Sequence, residues 1–143
     1  MESGSHNGCP ALPSDVLIVE DDPIIALDFE DTILGFGVKT VRCAGNVASA
    51  LAAIAARAPD FALLDVSLSR EKSFAVAEQL DALKISFAFV TGYGSDASVP
   101  AAFAHRPRLG KPCSAESLEA ALRSEPGLQR RASLASPRLR REA

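Results

Sequence analysis

Four short stretches carry residues whose types suit joint chemistry. They are Val16-Leu17-Ile18-Val19-Glu20-Asp21-Asp22, Phe61-Ala62-Leu63-Leu64-Asp65, Phe87-Ala88-Phe89-Val90-Thr91 and Lys111-Pro112. Each of the first three is an apolar run that ends in a polar side chain. If the runs are parallel strands, Glu20, Asp21, Asp65 and Thr91 fall on one sheet edge, with Lys111 beside them. Three converging carboxylates repel and raise one another's pKa. A hard divalent cation relieves that repulsion. Magnesium takes oxygen ligands, keeps several waters, and is usually held by one or two carboxylates plus phosphate oxygens. The set therefore suits magnesium-dependent transfer of a phosphoryl group to a carboxylate, a known nucleophile class.

Asp65 is the best nucleophile, because it is the only acid that ends the third apolar run and the sheet fixes its direction. Catalysis of this kind is mainly positioning and charge neutralisation. Lys111 would bring a compact positive charge to a phosphoryl oxygen, and Thr91 would donate a hydrogen bond to another. Pro112 biases Lys111 to extended geometry and makes a cis bond accessible. Each residue alone has a plainer reading: an acidic patch facing solvent, a threonine closing a strand, a surface lysine before a helix. The joint register of Asp65 and Lys111 with the Glu-Asp pair is what favours chemistry.

The elements that must position these residues alternate between strand-like and helix-like. After Val16–Val19, Pro23 suits a first helical turn. The stripes Ile24, Leu27, Leu34 and Ile25, Phe29, Ile33 predict a helix with a broad buried face, ended by Gly35 and Gly37. Residues 38–43 read as a second strand. Asn46 can cap a helix carrying Val47, Ala50, Leu51, Ile54 and Ala58, closed by Pro59. Phe61–Asp65 is the third strand and 67–73 a polar loop. Phe74, Ala77, Leu80 and Leu83 mark a third helix. Residues 85–91 read as a fourth strand, continuous in hydrophobicity and so expected to be buried on both faces. An alanine-containing helix is expected over 95–106, a short strand at Arg108-Leu109, and a last helix capped by Ser114 with Leu118, Ala121 and Leu122 inward.

Five successive βα units predict an α/β fold, a doubly wound parallel sheet with helices on both faces. Such sheets bind ligands at the carboxyl ends of their strands. A chain of 143 residues with 48% apolar and 23% charged residues is long enough for one domain with a real core. No apolar run approaches the ~18 residues of a membrane span, and the first residues lack the basic and apolar regions of a secretory signal. Cys9, Cys43 and Cys113 show no metal or redox spacing, which fits a reducing cytoplasm. The net charge of −3 hides an asymmetry: residues 1–122 carry −7 and residues 123–143 carry +4, with six arginines. The expected organisation is a leader over 1–13, a folded domain over 14–123 and a basic tail over 124–143.

The four motifs, in this order, resemble the receiver domain of two-component response regulators over residues 14–123. The resemblance implies a five-stranded flavodoxin-like sheet of order 2-1-3-4-5. It implies that Asp65 accepts phosphate from a sensor histidine kinase or a histidine phosphotransfer protein. It also implies that Asp21 and Asp65 ligate Mg2+ directly, Glu20 acts mainly through water, and the Ser67 carbonyl is a further ligand. Thr91 and Lys111 would serve as phosphate-binding and switch residues. Asp22 reads as a bystander at a helix start, where negative charge is favoured. Three features depart from the common pattern. Leu68-Ser69 replaces the usual Met-Pro, and Arg108 stands where an aromatic switch residue is usual. Phe87-Ala88-Phe89-Val90-Thr91-Gly92-Tyr93 is similar to a subgroup of short regulators with a Phe-x-Thr-Gly signature, in which Tyr93 is a candidate substitute for the missing aromatic, as is Arg108.

About 20 residues follow the last expected helix, too few for an independent fold. The output is thus expected to be a protein contact or a phosphorelay, with self-catalysed phosphoryl transfer and slow self-dephosphorylation rather than a separate enzymatic activity. The alternative is a receiver-like interaction module that binds partners without phosphorylation. A nucleic-acid role through the arginines is opposed by the acidic body, and a monomer or weak dimer is expected.

Overall fold

The computed structural model describes residues 12–68, 71–92, 99–103, 105–111 and 113–123. Five strands, β1 (Asp15–Val19), β2 (Thr40–Ala44), β3 (Phe61–Asp65), β4 (Ser86–Thr91) and β5 (Arg108–Gly110), form one parallel sheet in the order β2-β1-β3-β4-β5. Four α-helices connect or follow them: α1 (Pro23–Phe36), α2 (Val47–Ala56), α3 (Phe74–Ala82) and α4 (Ala115–Arg123). The topology is the doubly wound order that the sequence resemblance implied. Residues 1–11 of the leader expected over 1–13, and the whole tail expected over 124–143, lie outside the described residues.

Strand alternation divides the core in two. Leu17, Val19, Ala62, Leu64, Phe87 and Phe89 pack against α2 and α3. Val16, Ile18, Phe61, Leu63, Ala88 and Val90 pack against α1 and α4. Side chains two apart share a face, so continuous apolar runs are what a sheet covered on both sides requires. The α2/α3 side also holds an aromatic cluster in which Phe87, Phe89 and Phe103 meet edge-on or tilted at centroid separations of 5.5–6.1 Å.

Helix ends follow local chemistry. The Asp22 carboxylate accepts from the Ile24 and Ile25 amides and caps α1. Asn46 and Ser49 form a reciprocal capping box on α2, and Ser114 Oγ accepts from the Ser117 amide at the start of α4. Gly37 closes α1 at φ 108°, a conformation costly to a residue with a Cβ.

Several expectations need correction. The broad buried face of α1 is half what the stripes suggested: Ala26, Phe29 and Ile33 are buried, whereas Ile24, Leu27 and Leu34 are 78%, 56% and 42% exposed. Apolar periodicity gives the width of an apolar arc, not how much of it a sheet can cover. Gly35 lies inside α1 rather than ending it. The second strand begins at Thr40, leaving Val38 as a buried loop residue. Ala58 falls beyond α2, because the proline that follows disfavours helical geometry there. In α3, Val76 is buried and Leu83 is the exposed C-cap. The helix expected over 95–106 is not found in its described part. There the chain makes only a 3-10 turn at Ala101–Phe103, between Pro100 and Pro107. Six residues between prolines are too few for a stable isolated helix.

Candidate functional site

The carboxyl end of the sheet gathers the residues that the sequence placed there. Glu20 directly follows β1, and its amide continues the ladder by donating to the Ala44 carbonyl at 3.0 Å. Asp65 is the last residue of β3 and is in register with Val90 of β4. The Lys111 amide continues β5 by donating to the Thr91 carbonyl at 2.8 Å. Alternation then explains why three of these side chains converge. Glu20 falls on the parity of Ile18, Asp65 on that of Leu63, and Lys111 on that of Leu109, all on the α1/α4 face. Thr91 falls on the opposite parity, that of Phe87 and Phe89, and borders the same edge from the other side.

Lys111 Nζ lies 2.6 Å from Glu20 Oε1 and 2.8 Å from Asp65 Oδ2. Glu20 and Asp65 are buried, at 4% and 6% exposure. Asp21 is half-buried and completes the group: ligand oxygens of Glu20, Asp21 and Asp65 lie within 4.8 Å of one another. One ammonium thus pairs with two of the three clustered carboxyl groups. Burial pushes the Glu20 carboxyl up to about 7, against the opposing effect of Lys111 and of the Asp22 amide, which donates to Glu20 Oε2 at 3.1 Å. For Lys111 burial disfavours the charged form, but its contacts with Asp65 and Glu20 outweigh that and raise its pKa above the ordinary lysine value.

The donor set fits a divalent cation. Glu20 Oε1 is buried and has no aligned hydrogen bond, despite its close charge contact with Lys111. That one ammonium is shared with Asp65, so the clustered carboxylates carry more negative charge than it offsets. A hard cation among three carboxylates offsets the remainder.

Ser67 sits beside this group, donating its amide to Asp65 Oδ1 at 3.1 Å. Its segment is braced by an antiparallel bridge to Lys72, and Lys72 Nζ donates to Ser67 Oγ at 2.8 Å. Leu68, in the place of the usual methionine, is buried in the α2/α3 core; Ser69, Tyr93 and Pro112 lie outside the described residues. Arg108 is exposed and in register with Phe89, so it does not join the acidic cluster.

Sequence reasoning missed three features. Asp22 is the side-chain cap that fixes α1 immediately after the acidic pair. Glu71 accepts from the Val47 amide at 2.9 Å and ties the loop after β3 to the start of α2. Arg106 lies 4.4 Å over the Phe87 ring and pairs with Asp81 at 2.7 Å, covering the aromatic cluster. An Asp before a proline-led helix is a cap signature that would have found the first; the other two are long-range contacts with no local signal.

Residues 16–123 match the family model described as the response regulator receiver domain. Among solved structures, the chain is 44% identical to SdrG from Sphingomonas melonis Fr1, over 76% of this chain and 92% of that one, with a TM-score of 0.68. A BeF3-activated conformation of SdrG, from Pseudomonas melonis Fr1, is 41% identical over the same shares, with a TM-score of 0.65. A CheY-like receiver domain from Methylobacillus flagellatus is 28% identical over 84% of this chain and 98% of that one, with a TM-score of 0.63. No curated protein matches the chain.

Proposed function

The chain belongs to the family of response regulator receiver domains, and from that premise we propose that Asp65 accepts a phosphoryl group from a phosphohistidine of a sensor kinase or a histidine phosphotransfer protein. The observation that carries this reading is the placement of the Lys111 ammonium between Glu20 and Asp65 at the carboxyl edge of the sheet. An Asp65 carboxylate oxygen attacks phosphorus; the new O–P bond forms as the P–N bond breaks, and the donor imidazole leaves with the electron pair of that bond. Asp65 is aimed by β3 and by the Ser67 amide on its other oxygen. Lys111, held charged by its two carboxylate neighbours, offsets negative charge on a phosphoryl oxygen. The Thr91 hydroxyl donates to another.

Asp21 and Asp65, with Glu20 through water and the Ser67 carbonyl, would hold Mg2+. When bound, the ion supplies positive charge that neutralises the acids and the transferring group. The chain promotes its own phosphorylation and slowly loses the group by hydrolysis; it has no further enzymatic role in this reading. Its output is a protein contact or a phosphorelay step in the cytoplasm, and its switch belongs to the Phe-x-Thr-Gly subgroup. Among the described residues no helix is long and apolar enough to cross a membrane.

A second reading, a partner-binding module that works without phosphate, draws on Arg108, which is exposed where an aromatic switch residue is usual. Intact-protein mass after incubation with a small phosphodonor and Mg2+ separates the two. A gain of one phosphoryl group in the wild type and none in Asp65→Asn is expected. Equal gain in both, or none in either, overturns phosphoacceptance at Asp65.

A further inference from the structure

The exposed side of α1 combines apolar and acidic residues. Ile24, Leu27 and Leu34 are exposed, and Asp28 and Asp31 are exposed among them. The helical spacing of 100° per residue puts all five on one arc. Between Pro23 and Phe36 there are three acids and no base. Large apolar side chains gathered on one exposed arc mark a contact surface rather than ordinary surface scatter.

We infer that this stripe is the docking site for the chain's own residues 124–143. That segment carries five arginines against two glutamates, with Leu128, Leu134 and Leu139 interspersed. It therefore offers what the stripe lacks: positive charge for Asp28 and Asp31, and apolar side chains for Ile24, Leu27 and Leu34. Connectivity favours the same occupant. The segment follows Arg123 at the end of α4, and α4 shares a core with α1 through Phe29, Ile33, Leu118 and Leu122. Twenty residues can span up to ~65 Å, whereas the 14-residue α1 is ~21 Å long. A tether of this kind gives an effective concentration on the order of millimolar, so even a weak contact is populated. A second copy fits less well, because symmetric pairing would set the acids of one stripe against those of the other.

The docking does not rest on the function proposed for Asp65, and its test involves no phosphate.

Backbone amide NMR spectra of the full chain test the contact. The comparison is wild type against Arg130→Glu/Arg131→Glu/Leu134→Ser, a variant that leaves the core untouched. The expected result is resonance shifts at residues 24–35, far from the substitutions in sequence. The same amides should move when wild type is taken from about 0.05 to about 0.5 M salt, which screens the ion pairs. Introducing Asp28→Arg/Asp31→Arg into an Arg130→Glu/Arg131→Glu chain should restore the docked pattern. Shifts confined to the neighbourhood of residues 130–134 overturn the inference, since the segment is then unbound. Shifts on α1 that vary with protein concentration overturn it in favour of a second copy.

Discussion

Replacing Glu20 by Gln isolates the cost of burying that carboxyl. Its pKa rises from 4.5 to about 7 in the folded protein, with burial the leading cause. The sign follows from proton binding. Between those values the native state holds a proton that the unfolded state has released, so stability present below pH 4.5 is lost as pH rises through about 7. A shift of that size, at about 1.4 kcal/mol per unit, corresponds to about 3 kcal/mol in all. Most of it, about 2–3 kcal/mol, is lost between about pH 5 and pH 8. Gln carries no titrating proton, so the stability of Glu20→Gln relative to wild type should grow by that amount over the same interval. Other titrating groups are common to both proteins and largely cancel. Urea unfolding of both proteins with a chelator, at several pH values across this range, measures the difference. With Mg2+ present the growth should shrink, because the ionised wild-type carboxylate gains a partner. A difference that stays flat within about 0.5 kcal/mol from pH 5 to pH 8 in chelator would refute the argument that burial controls this carboxyl.

Phe89→Ala should destabilise the fold by about 3–5 kcal/mol in denaturant unfolding, since it removes a fully buried ring that packs on Phe74, Phe87 and Phe103. Asp15→Ala should cost about 2 kcal/mol by the same measurement. It strips the half-buried Arg42 guanidinium of two hydrogen bonds, at 3.1 and 3.0 Å, at the end of the sheet away from the acids. Leu27→Ser, on the exposed stripe of α1, should change stability by no more than about 0.5 kcal/mol, and a large loss would mean that α1 packs differently. Asn46→Ala removes the side-chain half of the α2 capping box and should lower the unfolding midpoint by the equivalent of about 1 kcal/mol.

Much of the fold follows from short-range sequence alone. Phe61–Asp65 and the buried run around Phe87–Val90 are strands because their continuous apolar character suits a sheet covered on both faces. Asn46 and Ser114 mark helix starts by their own chemistry. The succession of strand and helix then leaves few topologies, and an acid or hydroxyl ending each run falls at one edge in all of them. Glu20, Asp21 and Asp65 accordingly cluster at that edge, with Lys111 against two of them.

Tertiary structure alone decided what is long-range. Which half of the α1 apolar arc is buried depends on the room that β1, β2 and α4 leave beside it, so Phe29 and Ile33 went inside while Ile24 and Leu27 stayed out. The contacts of Glu71 with α2, and of Arg106 with Asp81 and Phe87, join segments whose proximity no local pattern encodes. The charge state of Glu20 is of the same kind. A carboxyl after an apolar run is an ordinary acid until neighbouring elements exclude water from it, and here that exclusion, with Lys111 as its counterweight, holds its pKa near neutrality.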